Sequence, residues 1–197
     1  MLIYKAIQMA IKAHEHQLRK LDNDVYVAHP IEVGVILAKH NLPDEVIIAG
    51  ILHDTVEDTE LTLEQIEIEF GSSVAAYVNF CSEQNKGDTW KKRKLDYLAH
   101  LESAPVDVLY IVCVDKLTNI QSIHRNFEVY GTAIWQKFNA GYEEQKWYYE
   151  AILEKLSNRD DVPEFFREHI AEWKKDVAMW VKEKKTPSSM TGLSRWL

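Results

Sequence analysis

Only one run in this chain has the composition of a buried β-strand, and it has nothing to pair with. Residues 106–117, VDVLYIVCVDKL, are dense in apolar and β-branched side chains and by themselves fit a strand. No comparable run occurs elsewhere, and a lone strand would leave its backbone donors and acceptors without partners. The segment therefore reads as a central helix buried on most sides, and the fold class that follows is all-α.

The rest of the sequence agrees with that class. In residues 2–18 the apolar positions Leu2, Ile3, Ala6, Ile7, Ala10 and Ile11 recur at three- and four-residue spacing. PIEVGVILAKH (30–40) opens on a proline, which suits the first helical position. LPDEVIIAGILHD begins a third helix at Pro43, with acidic residues in its first turn where the helix dipole favours them. TLEQIEIEFG starts at a Thr62–Gln65 capping box and stops at Gly71. Ser72 or Ser73 can cap the next helix and Asp88 the one after it. Two longer helices are expected over 131–157 and 163–184.

Seven glycines and five prolines in 197 residues leave little room for structureless linkers. Cys81 and Cys113 match no metal or redox spacing and read as reduced thiols. The N-terminal apolar run carries Lys5 and Lys12, has no unbroken apolar stretch and does not read as a signal peptide. No window approaches a membrane span. A formal charge of −8 argues against nucleic-acid binding through the whole surface, while leaving room for a small anion on a local basic cluster. The expected setting is the cytoplasm.

GILHDTVEDTEL (50–61) asks for an explanation, because it sets His53, Asp54, Glu57 and Asp58 among apolar residues. On one continuous helix His53 would stand one turn from Glu57, and Asp54 one turn from Asp58. An exposed acidic helix end would be the plain account. IIAGIL just before His53 instead draws that residue into the core, where charge needs a partner. A metal ion satisfies both a neutral imidazole and an ionised carboxylate. Further candidates are His29, which precedes Pro30 at a helix start, and Asp115, which interrupts the most apolar run of the chain. Asp115 has an alternative partner in Lys116.

His29, the His53–Asp54 pair and Asp115 together resemble the pattern of the HD superfamily of metal-dependent phosphohydrolases. The likeness is closer to the hydrolase domain of RelA/SpoT-type alarmone enzymes and to the stand-alone small alarmone hydrolases. AHEHQLRK is similar to their opening helix with its Arg-Lys pair, YVAHP to their YxxHP, ILHDTVEDT to their LLHDxxEDT, and VDKLTNI to their ADKLxNL. The resemblance covers roughly residues 1–156, and it implies an HD-domain helical bundle. On that basis residues 1–157 are the expected HD hydrolase domain, with a C-terminal helix and tail, 158–197, packed on it.

The resemblance implies that His29, His53, Asp54 and Asp115 hold one divalent ion, manganese in the characterised relatives. Donor chemistry alone admits manganese, iron or zinc. Glu57 and Asp58 match the family's catalytic pair. Arg19 and Lys20 match its substrate-contacting pair, although a basic helix end is the ordinary alternative. Asn119 matches a nucleotide-contacting asparagine. Arg93 and Lys94, in the basic stretch KGDTWKKRK (86–94), are candidates for a distal phosphate, with a solvated helix face as the alternative. Tyr148 or Tyr149 is the candidate aromatic contact, with a core stripe as the alternative. LDNDVYVAHP departs from the short Gly- and Pro-containing turn of relatives at a place that borders the base pocket.

The activity implied is a stand-alone metal-dependent pyrophosphohydrolase that removes the 3′-diphosphate of (p)ppGpp, giving GDP or GTP and pyrophosphate. Two alternatives remain open: the same chemistry on another nucleotide or a phosphorylated cofactor such as NADPH, or a nucleotide-binding module without turnover. The stripe Phe165, Phe166, Ile170, Trp173, Val177 and Trp180 is expected to pack on the domain; if exposed, it would form a homo-oligomer interface.

Overall fold

Residues 1–21, 23–83, 85–161 and 164–178 are described by a computed structural model. The strand-like run forms the N-terminal half of the longest helix among the described residues, Val106–Tyr130. It follows Pro105 and ends at Gly131, whose φ of 56° suits a residue without a side chain. Fourteen of its 25 residues are buried. A helix satisfies its own backbone, so an element enclosed on most sides can be β-branched without needing a partner strand.

Nine further α-helices and two 3₁₀ turns surround it among the described residues. In chain order the helices are α1 (Leu2–Ala13), α2 (Ala28–Lys39), α3 (Asp44–Leu52), α4 (Thr55–Asp58), α5 (Leu63–Phe70), α6 (Ser72–Cys81), α7 (Trp90–His100), α8 (Val106–Tyr130), α9 (Tyr142–Ser157) and α10 (Glu164–Ala178). The helices α2, α3, α6, α9 and α10 all pack against α8.

Several boundaries differ from the sequence reading, each for a local reason. The first helix stops at Ala13, not at residue 18, and its continuation folds back on itself. Arg19 N–H donates to the Asp24 carbonyl at 2.9 Å and Tyr26 N–H to that of Gln17 at 2.9 Å. His16 and Asn23 take positive φ there. α2 starts two residues before Pro30, which costs no backbone bond because first-turn N–H groups have no intrahelical acceptor. Pro43 sits at the N-cap of α3. The capping box at Thr62–Gln65 forms as expected. Gly71, with φ of 92°, takes the N-cap of α6 in place of either serine. Thr89 caps α7 through Lys92 N–H, while Asp88 pairs with the Lys92 side chain. Residues 131–157 divide into a 3₁₀ turn, Gly131–Lys137, and α9, which begins after Gly141.

α10 buries Phe166, Ile170, Trp173 and Val177 and packs on α8 and α9. Trp180 and the rest of the tail, 179–197, lie outside the described residues. Cys81 and Cys113 are both free.

Two glycines set the α2–α3 spacing and thereby bring His29 toward His53. A Cβ on Gly34 would lie 2.3 Å from Ile51 Cγ1, and one on Gly50 2.3 Å from Leu37 Cδ1. Gly34 faces the stem of a β-branched chain, which has little room to turn away. Gly34→Ala is therefore expected to lower stability by about 1–3 kcal/mol through overpacking, despite the better helix propensity of alanine. Denaturant unfolding measures it; equal or greater stability would show that the two helices can separate freely.

Candidate active site and metal centre

The helix expected to run through His53 breaks there. α3 ends at Leu52, and Asp54 is the N-cap of the four-residue α4. Side chains bond the nearby carbonyls: His53 Nδ1–H donates to the Gly50 oxygen at 2.8 Å and Thr55 Oγ1 to that of Leu52 at 2.6 Å. The break corrects the simple helical spacing. It turns His53 and Asp54 toward α2 and α8, and leaves Glu57 and Asp58 on a separate short turn.

His29 comes from the first turn of α2, and Asp115 from the middle of α8. Donor atoms of His29, His53 and Asp115 lie within 4.8 Å of one another. Asp54 completes the group, with Oδ1 at 3.2 Å from His53 Nε2 and Oδ2 at 3.8 Å from His29 Nε2. His53 and His29 are buried.

The arrangement fits a cation. With Nδ1–H bonded to the Gly50 carbonyl, a neutral His53 presents a bare lone pair at Nε2. That atom is buried and has no hydrogen bond among the described residues, although Asp115 Oδ1 stands 3.6 Å away. Thr118 gives its hydroxyl proton to the Asp115 carbonyl, so its oxygen is free to accept from His29 Nδ1 at 3.4 Å. His29 Nε2 lies 3.1 Å from Asp115 Oδ1, to which it donates when it carries a proton and beside which it presents a lone pair when Nδ1 carries the proton instead. With both imidazoles protonated on Nδ1, their Nε2 lone pairs face carboxylate oxygens, an arrangement that suits a positive charge lying among them.

Protonation can supply that charge in the metal-free protein. Burial opposes a charged His53, but Asp54 and Asp115 outweigh it and hold the imidazole well above its ordinary range. Burial pushes both aspartates up; for Asp54 the His53 imidazolium, and for Asp115 the Lys116 ammonium with both histidines, outweighs it and leaves them low. Burial lowers His29, which favours the neutral form that a ligand needs. Lys116 does pair with Asp115, through Oδ2, which leaves Oδ1 facing the histidines. The alternative partner for Asp115 is thus present together with the ligand arrangement.

Glu57 and Asp58 lie beside this group on the wall of a cavity of about 750 Å³. Glu57 Oε2 accepts the Glu83 backbone N–H at 3.0 Å, and burial, then the nearby acidic groups, raises its pKa to about 7. Burial and Asp54 raise that of Asp58. Tyr26 belongs to the YVAHP stretch, in which the sequence assigns it no role. Its hydroxyl reaches both Asp54 Oδ2, at 2.6 Å, and Asp58 Oδ2, at 3.1 Å. Only the hairpin-like loop after α1, invisible to periodicity, brings it there.

The other candidates also line the cavity. Arg19 Nη2 donates to Asn119 Oδ1 at 2.9 Å, and Asn119 Nδ2 to Asp115 Oδ1 at 2.6 Å, so a chain of hydrogen bonds runs from the loop to the histidine–aspartate cluster. Lys20 stands exposed at the rim. Arg93 and Lys94 both pair with Glu83 and are not on an open solvated face. Tyr148 and Tyr149 are buried residues that also line the cavity.

Fold and site together define a helical bundle enclosing a histidine–aspartate cluster that could hold a metal ion. The HD domain profile matches residues 6–141, and the chain belongs to that family. The guanosine-3′,5′-bis(diphosphate) 3′-pyrophosphohydrolase of Aquifex aeolicus is 32% identical over 123 residues, which cover 61% of this chain and 18% of that protein. The crystal structure of lmo0812 from Listeria monocytogenes EGD-e is 33% identical, with a TM-score of 0.65, covering 76% of this chain and 94% of that one. A metazoan ortholog of SpoT, described as hydrolysing ppGpp with a role in starvation responses, is 22% identical and shares the fold with a TM-score of 0.72 over 88% of this chain and 94% of its own. The match spans only 14–15% of the length of plant and Streptomyces coelicolor curated relatives.

Proposed function

We propose that the chain is a metal-dependent pyrophosphohydrolase that removes the 3′-diphosphate of ppGpp or pppGpp. The observation that carries this reading is the placement of Glu57, with a pKa of about 7, in a cavity that Asp54, Asp115 and six cationic side chains also line. His29, His53, Asp54 and Asp115 would hold the ion, for which we propose manganese. When bound, such an ion supplies Lewis acidity toward a phosphoryl oxygen and a lowered pKa for water.

The chain's own residues account for the rest. Glu57 takes a proton from the attacking water, whose oxygen bonds to the phosphorus on the 3′ oxygen. The bond between that phosphorus and the 3′ oxygen breaks, releasing pyrophosphate, and the 3′ oxygen is protonated. Asp58, held by Tyr26, orients the water. Arg19 and Asn119 form one contact surface for the nucleoside and Lys20 another at the rim, while Tyr148 or Tyr149 supplies the aromatic contact. Arg93 and Lys94 offset distal phosphate charge.

A second substrate is kept in view by one observation: LDNDVY lacks the glycine and proline of relatives beside the base pocket, which fits another nucleotide or NADPH. Incubation with manganese and ppGpp, NADPH or nucleoside triphosphates, followed by chromatography, tests both. GDP and pyrophosphate from ppGpp are expected. Cleavage of another substrate alone would reassign specificity, and no turnover by metal-loaded protein would favour a binding module. No helix among the described residues is long and apolar enough to cross a membrane.

A further inference from the structure

Glu83 has no part in the reaction above, yet its side chain is only 6% exposed on the cavity wall. Two cations flank it. Arg93 Nη1 lies 3.0 Å from Oε2, and Lys94 bonds Oε1. Lys94 is further confined over the rings of Tyr148, at 4.5 Å, and Trp90, at 5.8 Å. Burying three charges is costly unless each is well paired. Here the trio keeps a net positive charge, and the buried Arg93 Nε has no hydrogen-bond partner among the described residues. The backbone of the same residue holds Glu57 through its N–H. Glu83 thus joins the basic pair to the reaction centre.

We propose that the Glu83 carboxylate is an internal stand-in for a phosphate group: it holds Arg93 and Lys94 in place while the cavity is free of ligand, and a pyrophosphate group displaces it from them. This rests on the reading that the cavity takes a polyphosphate. Guanidinium and ammonium groups bind carboxylate and phosphate oxygens with similar geometry, so the exchange keeps both cations ordered. A carboxylate carries one negative charge, and a terminal diphosphate carries more. The competition therefore favours diphosphate over monophosphate, and it helps to expel pyrophosphate after cleavage. Glu83 acts through the cations it holds and is a positioning residue.

Calorimetric titration of the full chain with inorganic pyrophosphate tests the exchange, beside orthophosphate as the singly phosphorylated probe. Glu83→Gln is expected to tighten pyrophosphate binding about tenfold, with a steeper salt dependence, because two cations lose their internal competitor. Lys94→Met and Arg93→Gln are each expected to weaken it about tenfold. Equal or weaker binding by a folded Glu83→Gln protein overturns the proposal and makes Glu83 a structural anchor. Unchanged affinity in both cation variants overturns it even if Glu83→Gln does not fold. Wild-type protein that binds no pyrophosphate removes the polyphosphate reading itself, a different failure from binding that Glu83→Gln leaves unaltered.

Discussion

His53→Ala protein is expected to bind manganese at least a hundredfold more weakly than wild type and to release no pyrophosphate from ppGpp above background. His53 Nε2 faces Asp54 and Asp115 at 3.2 and 3.6 Å, so its removal takes out a proposed ligand and leaves the buried Asp115 and half-buried Asp54 carboxylates facing an empty corner. Loss of one partner from such a group costs about 3–5 kcal/mol in the metal-free protein. Metal analysis, and melting with and without manganese, separate the two effects. Wild-type protein gains melting temperature on adding the ion, by mass action on the folded state. The variant gains none. Full metal content in a folded His53→Ala protein would remove His53 from the ligand set.

The pH dependence of the same centre has a definite sign. In the metal-free protein the pKa of His53 is raised well above 6.5, so its pairing contributes fully below 6.5 and is lost as pH rises through the folded value. Those of Asp54 and Asp115 are lowered from 3.8, so their contribution is present above 3.8 and lost in acid. Metal binding must displace the His53 proton, so manganese affinity rises with pH and replaces the stability that deprotonation removes.

Glu57→Gln is expected to lower kcat by roughly 10²–10⁴-fold, the usual contribution of a positioned general base, with the metal content unchanged. Its carboxylate is held by the Glu83 amide and is not part of the donor cluster. Wild-type turnover should rise with pH through an apparent pKa near 7, the value to which burial lifts Glu57, and the variant should lack that limb. Stability runs the other way. A carboxyl whose pKa rises from 4.5 to about 7 on folding contributes most below 4.5 and loses that contribution as pH climbs through 7. Glutamine resembles the protonated form, so the variant should melt above wild type at pH 8. Turnover equal to wild type would take the base role from Glu57. A variant no more stable than wild type at pH 8 would remove burial as the source of the raised pKa.

Much of this site was legible in the sequence because a buried charge is conspicuous in an apolar context. Asp115 stood out inside YIVCVDKL, and His53–Asp54 after IIAGIL, since each needs a partner wherever the chain places it. His29 was a candidate from its place before Pro30 at a helix start, and the resemblance added roles for Glu57 and Asp58. Tyr26 was missed because a lone tyrosine before HP carries no periodic signal, and its partners lie 28 and 32 residues away. Glu83 was missed for a similar reason. Its meaning comes from Arg93 and Lys94, which read by themselves as part of a basic stretch.

By itself the sequence determined the helical class and the central element, because one unpaired strand-like run cannot make a sheet and apolar spacing elsewhere follows the helix period. It also determined which polar residues needed partners, since the cost of desolvation depends on local apolar context. Only the tertiary structure decided how those partners meet. The break at His53, the hairpin-like loop that delivers Tyr26 and Arg19, and the close α2–α3 contact at Gly34 and Gly50 arise from side-chain hydrogen bonds and from contacts between distant segments. Those interactions favour neither helical period nor strand period, so no pattern along the chain records them.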